Sequence, residues 1–536
     1  MKKIYPFIFL LLMCTTVKSQ YVQKITSINY YGFNGLNPSN LTVFNGKLYF
    51  FGTDNTQYVD KLMYTSDGTA EGIAVVKQID SMIQYPSLYH LTILNNQLVF
   101  NNAHQLWKSD GTSAGTSAII NIKIGSPKFV ILNNKIYFAG DITNSNPIVD
   151  QLWQSDGTAA GTTLVKTINS SGPAHIDNLF VSGGKIYFRA TDGVNQEQLW
   201  ISDGTSAGTM MLKRLNPTGE SYPGNFIDYN GKVYFSGDDG VSGVQLWVTD
   251  GTTAGTLEIT NINPSGAVGF NPGQFILFNS RLFFGGYNQN AFYQLWSTDG
   301  TTEGTVLVKA DYTPRTYSGF TPSSLAVYQD KLYMSGYDSL TNTTQLWVTN
   351  GTTAGTLKVT NFAHSLSPGK LYPFQNKLVM TGNDTISNQE QIFVTDGTAA
   401  GTVCPTPPST AGQYPFYPWE AWVPFNNVLY FKAAYSFWSD YQLCRYSEYP
   451  NGIENQTEEN LTLYPNPTNG SLKVVLSMPI KDATIEVYNS LGLLVHQQVA
   501  STGINIIDLT KQFNGFYILK IVSGKQTIAS QKIIKK

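Results

Sequence analysis

The 536-residue chain carries 34 Lys and Arg against 36 Asp and Glu, with only 13% of residues charged, so it lacks the basic footprint of a nucleic-acid binder. Its 32 Tyr, 29 Phe and 9 Trp exclude a disordered polymer, and its length calls for more than one domain. At the N-terminus Lys2 and Lys3 precede the apolar run Phe7–Met13, and a polar stretch leads to Ser19. This is the pattern of a signal peptide over residues 1–19, cleaved to leave Gln20 first. The run is shorter than the roughly 20 residues a spanning helix needs, and Met13 is too large to precede a lipoprotein Cys14. No later segment is long and apolar enough to span a bilayer. Loss of Lys2, Lys3 and Lys18 leaves 31 basic against 36 acidic residues, a net charge near −5.

From there one phrase recurs: Gln-Leu-Trp-x-Ser/Thr-Asp-Gly-Thr-x-x-Gly-Thr. Its acidic position falls at Asp67, Asp110, Asp156, Asp203, Asp250, Asp299 and Asp396, with Asn350 in the seventh copy, at spacings of 43 to 51 residues. A period of this size signals a propeller or a solenoid. Each unit reads as four short strands. In the fifth these are Phe226–Tyr229, Lys232–Phe235 after an Asn230-Gly231 hairpin turn, Val244–Val248, and Thr256–Thr260 after the Asp250-Gly251-Thr252 turn. After the eighth copy, Trp422–Phe431 and Gln442–Cys444 repeat the first three strands, but no fourth follows. Near the start, Val22–Asn29 reads as a fourth strand with no first three. Joining the two ends predicts an all-β propeller over residues 20–446, with about nine blades and no open sheet edge. An open superhelical array is the alternative.

The Asp-Gly-Thr turns offer one carboxylate each, on separate blades, whereas calcium takes six to eight oxygen ligands. They read as structural turns, the Asp accepting backbone N–H groups and the Gly left-handed. The recurrent Trp (Trp107, Trp153, Trp200, Trp247, Trp296, Trp347) reads as packing between blades. Cys404 and Cys444 either form a disulfide closing a loop of about 40 residues or stay as buried thiols.

Loops joining second to third and fourth to first strands vary in length, and share one face. The longest carry extra aromatics: Phe270, then Tyr312, Tyr317 and Phe320, then Tyr414, Phe416, Tyr417 and Trp419. Such rings either stack on a sugar or a protein partner or pack over the blade ends. Tyr317, Phe320, Tyr417 and Trp419 are the candidate binding residues, since recognition concentrates in variable loops on a regular scaffold.

After a polar linker (447–458) the pattern changes. Strand-like runs at Lys473–Leu476, Thr484–Tyr488, Leu493–Gln498, Asn505–Leu509, Phe516–Val522 and Thr527–Ile534 predict a small antiparallel β-sandwich over 459–536. Its opening Tyr464-Pro465-Asn466-Pro467-x-x-Gly470, then Asp508-Leu509 before Gly515-Phe516-Tyr517, and the lysine-ended Gln531–Lys536 resemble the type A C-terminal sorting domain of the type IX secretion system. That resemblance implies passage through the periplasm, recognition by the translocon and its sorting protease, and release or attachment to surface lipopolysaccharide. The repeats also resemble Glu/Gln-Leu-Trp-x-x-Asp-Gly-Thr arrays found in such cargo.

No nucleophile–base pair, metal-ligand spacing or cofactor motif is legible. The histidines (His90, His104, His175, His364, His496) are scattered. A secreted or surface binding and adhesion module, with a glycan or a surface protein as partner, is the leading expectation. A hydrolase with carboxylates gathered at the central channel and a structural surface coat are the alternatives.

Overall fold

A strand such as Lys232–Asp238 buries consecutive side chains on both of its faces. It can therefore be stable only between two other layers. The computed structural model describes the chain outside residues 1–20, 27–34, 54–60, 81–89, 103, 126–127, 144, 146, 264–268, 311–318, 385–389, 406–416, 435–440, 448–460, 477–482, 490–492 and 524–525. It divides into two compact units, Met1–Ser447 and Glu448–Lys536.

The first unit is a β-propeller. Nine antiparallel sheets follow one another along the chain, most of them meanders of four consecutive strands. In the fifth blade these are Gly224–Tyr229, Lys232–Asp238, Val244–Thr249 and Leu257–Glu258. The fourth strand is shorter than its sequence suggests because Thr260 turns its hydroxyl onto Leu246 N (2.9 Å) and Gln245 Oε1 (3.0 Å), replacing ladder bonds. In the eighth blade the fourth strand shrinks to one bridge, Val394 with Val403.

The ninth sheet is composite. Tyr21–Lys24 pairs antiparallel with Tyr441–Ser447, beside Val428–Ala434 and Tyr417–Phe425. Gln23 Oε1 accepts two bonds from the Arg445 guanidinium (2.7 and 2.9 Å), while Thr26 bonds Gln442 Oε1 and Leu443 N as Thr260 does in blade five.

Nine apolar clusters hold the sheets together, each shared by two consecutive blades. The one made of Leu36, Leu48, Phe50, Phe425, Tyr430 and their neighbours joins the ninth blade to the first. Trp200, Trp247, Trp296 and Trp347 sit in such clusters, as do Tyr64 and Phe393 at the same repeat position. First strands of successive blades approach within 8 Å, so they line the axis and fourth strands lie outermost.

Each Asp-Gly-Thr turn is a closed hydrogen-bond box. In blade four, Asp203 Oδ1 accepts Thr205 N (2.8 Å) and Thr205 Oγ1 (2.7 Å), while Thr205 Oγ1 accepts Gly208 N (3.0 Å). These threonine bonds hold the Asp203 carboxyl below the usual aspartate range. Asn350 reproduces the box with its amide oxygen, at 3.0 and 2.8 Å. Gly204 has φ +92°, and a Cβ there would meet the Tyr137 hydroxyl of the preceding blade at 2.3 Å. Blade nine reaches blade one in the same way, Tyr430 Oη donating to Gly68 O at 3.1 Å.

Two points that the sequence left open each take one of their alternatives in this structure. Cys404 and Cys444 are thiols, not a disulfide. Cys404 packs in the cluster between blades seven and eight, Cys444 in the cluster between blades eight and nine, and the sheet of blade eight separates them. Phe270 and Phe320 are not loop ornaments but fully buried, in edge-on contact with Trp296 and Trp347 at 5.1 Å. They occupy the site of Leu36 and Leu366 in other blades, where each residue's carbonyl accepts a bond from its own second strand. Room for the rings comes from Gly286 and Gly336, whose Cβ atoms would lie 2.5 Å from them.

The second unit packs the sheet Leu461–Tyr464, Ser471–Leu476 and Gly503–Asp508 on a four-stranded sheet of Leu494–Val499, Ala483–Asn489, Gly515–Ser523 and Gln526–Lys535. Leu472, Ile485, Leu519 and Ile533 are among its core.

Three measurements test this account. Replacing Asp203 with Asn should leave stability nearly unchanged, as Asn350 implies, whereas Asp203→Ala should cost about 1 kcal/mol in urea unfolding. Gly286→Ala should cost about 1–3 kcal/mol by crowding Phe270, and mass spectrometry of unreduced protein should find two alkylatable thiols.

Candidate functional site

Within the repeat, most positions are tied down by packing or by the turn box. The exceptions cluster at one end of the axis. In six of the nine blades the first strand begins with a residue facing the second strand, followed by a left-handed residue and a bulge. The left-handed residues are Asn40, Asn178, Asn225, Gln274, Ser324 and Lys370, with φ between 39° and 59°. The bulge takes the strand start out of the regular ladder, and at this end of the axis Ser236, Ser335 and Thr381 are buried while Asp177 and Glu197 are partly exposed. The paired positions are Asp177 with Arg189, Gly224 with Ser236, Gly273 with Gly285, Ser323 with Ser335 and Gly369 with Thr381. A residue at the start of the third strand completes each set: Glu197, Val244, Tyr293, Thr344 (second in its strand) or Glu390. One register thus presents different chemistry in each of these five blades.

Blade four is ionic. Arg189 Nη2 lies 2.9 Å from Asp177, and its Nε faces Glu197 at 3.1 Å without hydrogen-bond alignment. Burial raises the Glu197 carboxyl despite the neighbouring guanidinium. A recess of about 270 Å³ lies here, lined by Lys128, Asp177, Asn178, Phe180, Asn225 and Phe226. Blades six and seven present no charged side chain at this register, whereas blade eight adds Glu390. A recess of about 500 Å³ is lined there by Gln274, Tyr293, Ser324, Ser335, Thr344 and Ser367 among others. In blade nine the register places Trp419 opposite Lys432, whose ammonium lies 4.7 Å from the Tyr441 ring centre.

Of the four aromatics singled out as binding residues, Phe320 is core and Tyr317 lies outside the described residues. Tyr417 and Trp419 belong to the axial strand Tyr417–Phe425 rather than to a loop, Trp419 at the variable register position. Sequence reading missed Asp177, Arg189, Glu197, Tyr293, Ser335 and Thr344. Aligning the repeats by their Lys-x-Tyr-Phe strands would have found them as the columns that change character. Among the described residues no group of three His, Cys, Asp or Glu is arranged to hold a metal ion, and no helix is long and apolar enough to cross a membrane.

In the second unit the sorting-motif residues converge on the C-terminal strand. Asn466 Oδ1 accepts Ile534 N (2.9 Å), Thr468 N donates to Ile534 O (2.8 Å), and Lys536 N donates to Thr468 O (3.0 Å). Gly470 O accepts Leu509 N at 2.6 Å, and a Cβ on Gly470 would strike Thr510 at 2.8 Å. Tyr517 Oη donates to Phe513 O (2.6 Å) beside Gly515. Pro465 and Pro467 flank Asn466 in this clamp.

Residues 462–536 match the Secretion system C-terminal sorting domain, which marks the chain as type IX cargo and implies export to the cell surface or the extracellular space. No curated protein matches the chain. PorZ, a bacterial surface component of the type-IX secretion system of Porphyromonas gingivalis, is 11% identical, with 93% of this chain and 86% of that one covered at a TM-score of 0.25. The β-propeller domain of the Trilobed protease from Pyrococcus furiosus is 10% identical over 70% of this chain and 98% of that one, with a TM-score of 0.32. A puromycin hydrolase is 9% identical over 74% of this chain, at a TM-score of 0.36, and the match spans only 58% of that enzyme.

The variable face also holds a titrating group. Burial, with repulsion from Asp239 and Asp238, pushes the Glu258 carboxyl up to about 6, against one opposing bond from Ser242. A carboxyl raised above its unfolded value stabilises the fold most below about 4.5 and loses that contribution as pH rises through 6. Glu258→Gln should therefore melt higher than the parent at pH 7.5 and alike at pH 4; an unchanged melting temperature at both values would contradict the assignment.

Proposed function

We propose that this chain is a cell-surface or secreted β-propeller binding module, delivered by type IX secretion, that recognises its partner at the axial end carrying the variable register. The observation that carries the reading is the contrast between an unvarying repeat and one set of positions that is ionic in blade four, hydroxylic in blades six and seven and aromatic in blade nine. A coat protein that only tiles a surface has no need of such variation. A hydrolase would need a base beside a nucleophile, and the ionic set of blade four pairs its two carboxylates with one arginine instead.

In this reading the tail (459–536) directs the chain from the periplasm through the outer-membrane translocon. The sorting protease then removes it, and the propeller is released or joined to lipopolysaccharide. The partner is a glycan or a surface protein.

Deleting residues 459–536 should trap a folded propeller in the periplasm, seen by fractionation together with an unchanged melting temperature. Normal surface delivery of the truncated chain would refute the address. A combined glycan and surface-protein array separates module from coat: the module retains at least one ligand, the coat none.

A further inference from the structure

The recess of blades six to eight has a composition unlike the rest of the axial rim. Its walls are Gln274, Tyr293, Thr321, Ser324, Ser335 and Thr344, with further Ser, Pro and Gly positions, and no charged side chain among them. At about 500 Å³ it falls in the range of small-ligand sites.

Its polar groups are available in a way that their counterparts are not. In blade five, Ser236 Oγ donates to Gly224 O (3.1 Å) and accepts from Asn225 Nδ2 (3.0 Å). Ser335 holds the same register position and is only 3% exposed, yet its hydroxyl meets no partner among the described residues. The second blade-seven residue, Ser324, uses its backbone N on Gln274 Oε1 (3.0 Å), which fixes that amide at the edge of the recess. The oxygen itself reaches the recess, so water or a ligand can pair with it.

Tyr293 forms one wall. Its ring is held edge-on to Tyr287 at 5.0 Å and lies over Gly285, where a Cβ would come within 2.3 Å of the ring. Burial, with the neighbouring Tyr287 second, pushes its phenol up to about 12, so it stays a neutral donor across the physiological range. No hydrogen-bond partner for this hydroxyl is present among the described residues.

From this geometry, and resting on the binding reading above, we infer that the recess between the first strands of blades six, seven and eight binds a neutral saccharide. Sugar hydroxyls donate and accept at once, as do Ser, Thr and Tyr, so each wall group can pair in either sense. A phenol ring beside such groups provides an apolar face for the C–H side of a pyranose. No cation lines the recess, and the Glu390 carboxylate lies beside its Gly369 wall, so an acidic sugar or a phosphate is disfavoured here and belongs with the Arg189 set instead.

The test is calorimetric titration of the full chain with neutral trisaccharides of glucose, mannose, galactose and N-acetylglucosamine, and with a uronic-acid trisaccharide. At least one neutral trisaccharide should bind, and the uronic acid should not. Tyr293→Phe, which removes one hydroxyl, should weaken binding about threefold to tenfold with the melting temperature unchanged. Thr344→Lys should abolish binding, and Arg189→Met should leave it intact. Failure of every neutral sugar, preference for the uronic acid, or indifference to both recess variants would overturn the assignment. Retention on the array of a ligand that survives both recess variants, with no neutral sugar bound in the titration, would overturn the recess while leaving the binding module standing, whereas an empty array would remove both.

Discussion

Among the described residues, no blade of this propeller has a core of its own. Every apolar cluster of the first unit lies between two sheets, so each sheet is a layer with two buried faces and is stable only when both neighbours are present. This constraint explains the composite ninth sheet. An array with free ends would leave the outer faces of its first and last sheets, and the Trp-equivalent ring of Tyr64, in water. Bringing Tyr21–Lys24 beside Tyr441–Ser447 lets the ninth blade complete its sheet and cover the first.

The same constraint decides which residues are free to differ. In most blades the tyrosine of one blade reaches the left-handed glycine in the turn of the next, while Leu94 and Phe283 take that place at Gly157 and Gly351. The glutamine of each Gln-Leu-Trp ties down the loop that leads to the next blade; Gln198 donates to Asn216 O and Gly219 O and accepts from Leu215 N. With both blade ends fixed in this way, side-chain identity is released only where the first strand bulges at the axis. A repeat that is rigid everywhere else can carry unrelated chemistry around one rim.

The features legible in the sequence are those with narrow stereochemical demands. Asp-Gly-Thr, Asn-Gly and the aromatic strand residues recur because few side chains satisfy a left-handed turn or a two-sided layer, and they placed the strands and the sheet count. The plug position of Phe270 and Phe320 was not legible, because Leu36, Ala174, Ser221 and Leu366 fill it elsewhere and only a small residue in the second strand marks it. Trp419 reads as loop because Pro418 precedes it, yet proline is tolerated on the axial edge of a sheet. The thiols look close in a chain of blades, and only the intervening sheet shows why they do not meet. The candidate rim was invisible as a motif, since its signature is the absence of a shared residue type.

The closing strand sets an order of events. Gln23 and Arg445 are 422 residues apart, so the segment that fastens the ring exists on the nascent chain long before the strand it fastens to. Until residues 441–447 arrive, blade one has one bare face and Tyr21–Lys24 has no ladder to join. Completion of the ring is thus an all-or-none check on chain integrity: a product cut short anywhere before Ser447 keeps an unpaired strand edge and an uncovered sheet, the features that mark a chain for aggregation or proteolysis. The sorting sequence begins just beyond that last strand. A chain that bears the address has, by its position in the sequence, already made every residue needed to shut the ring.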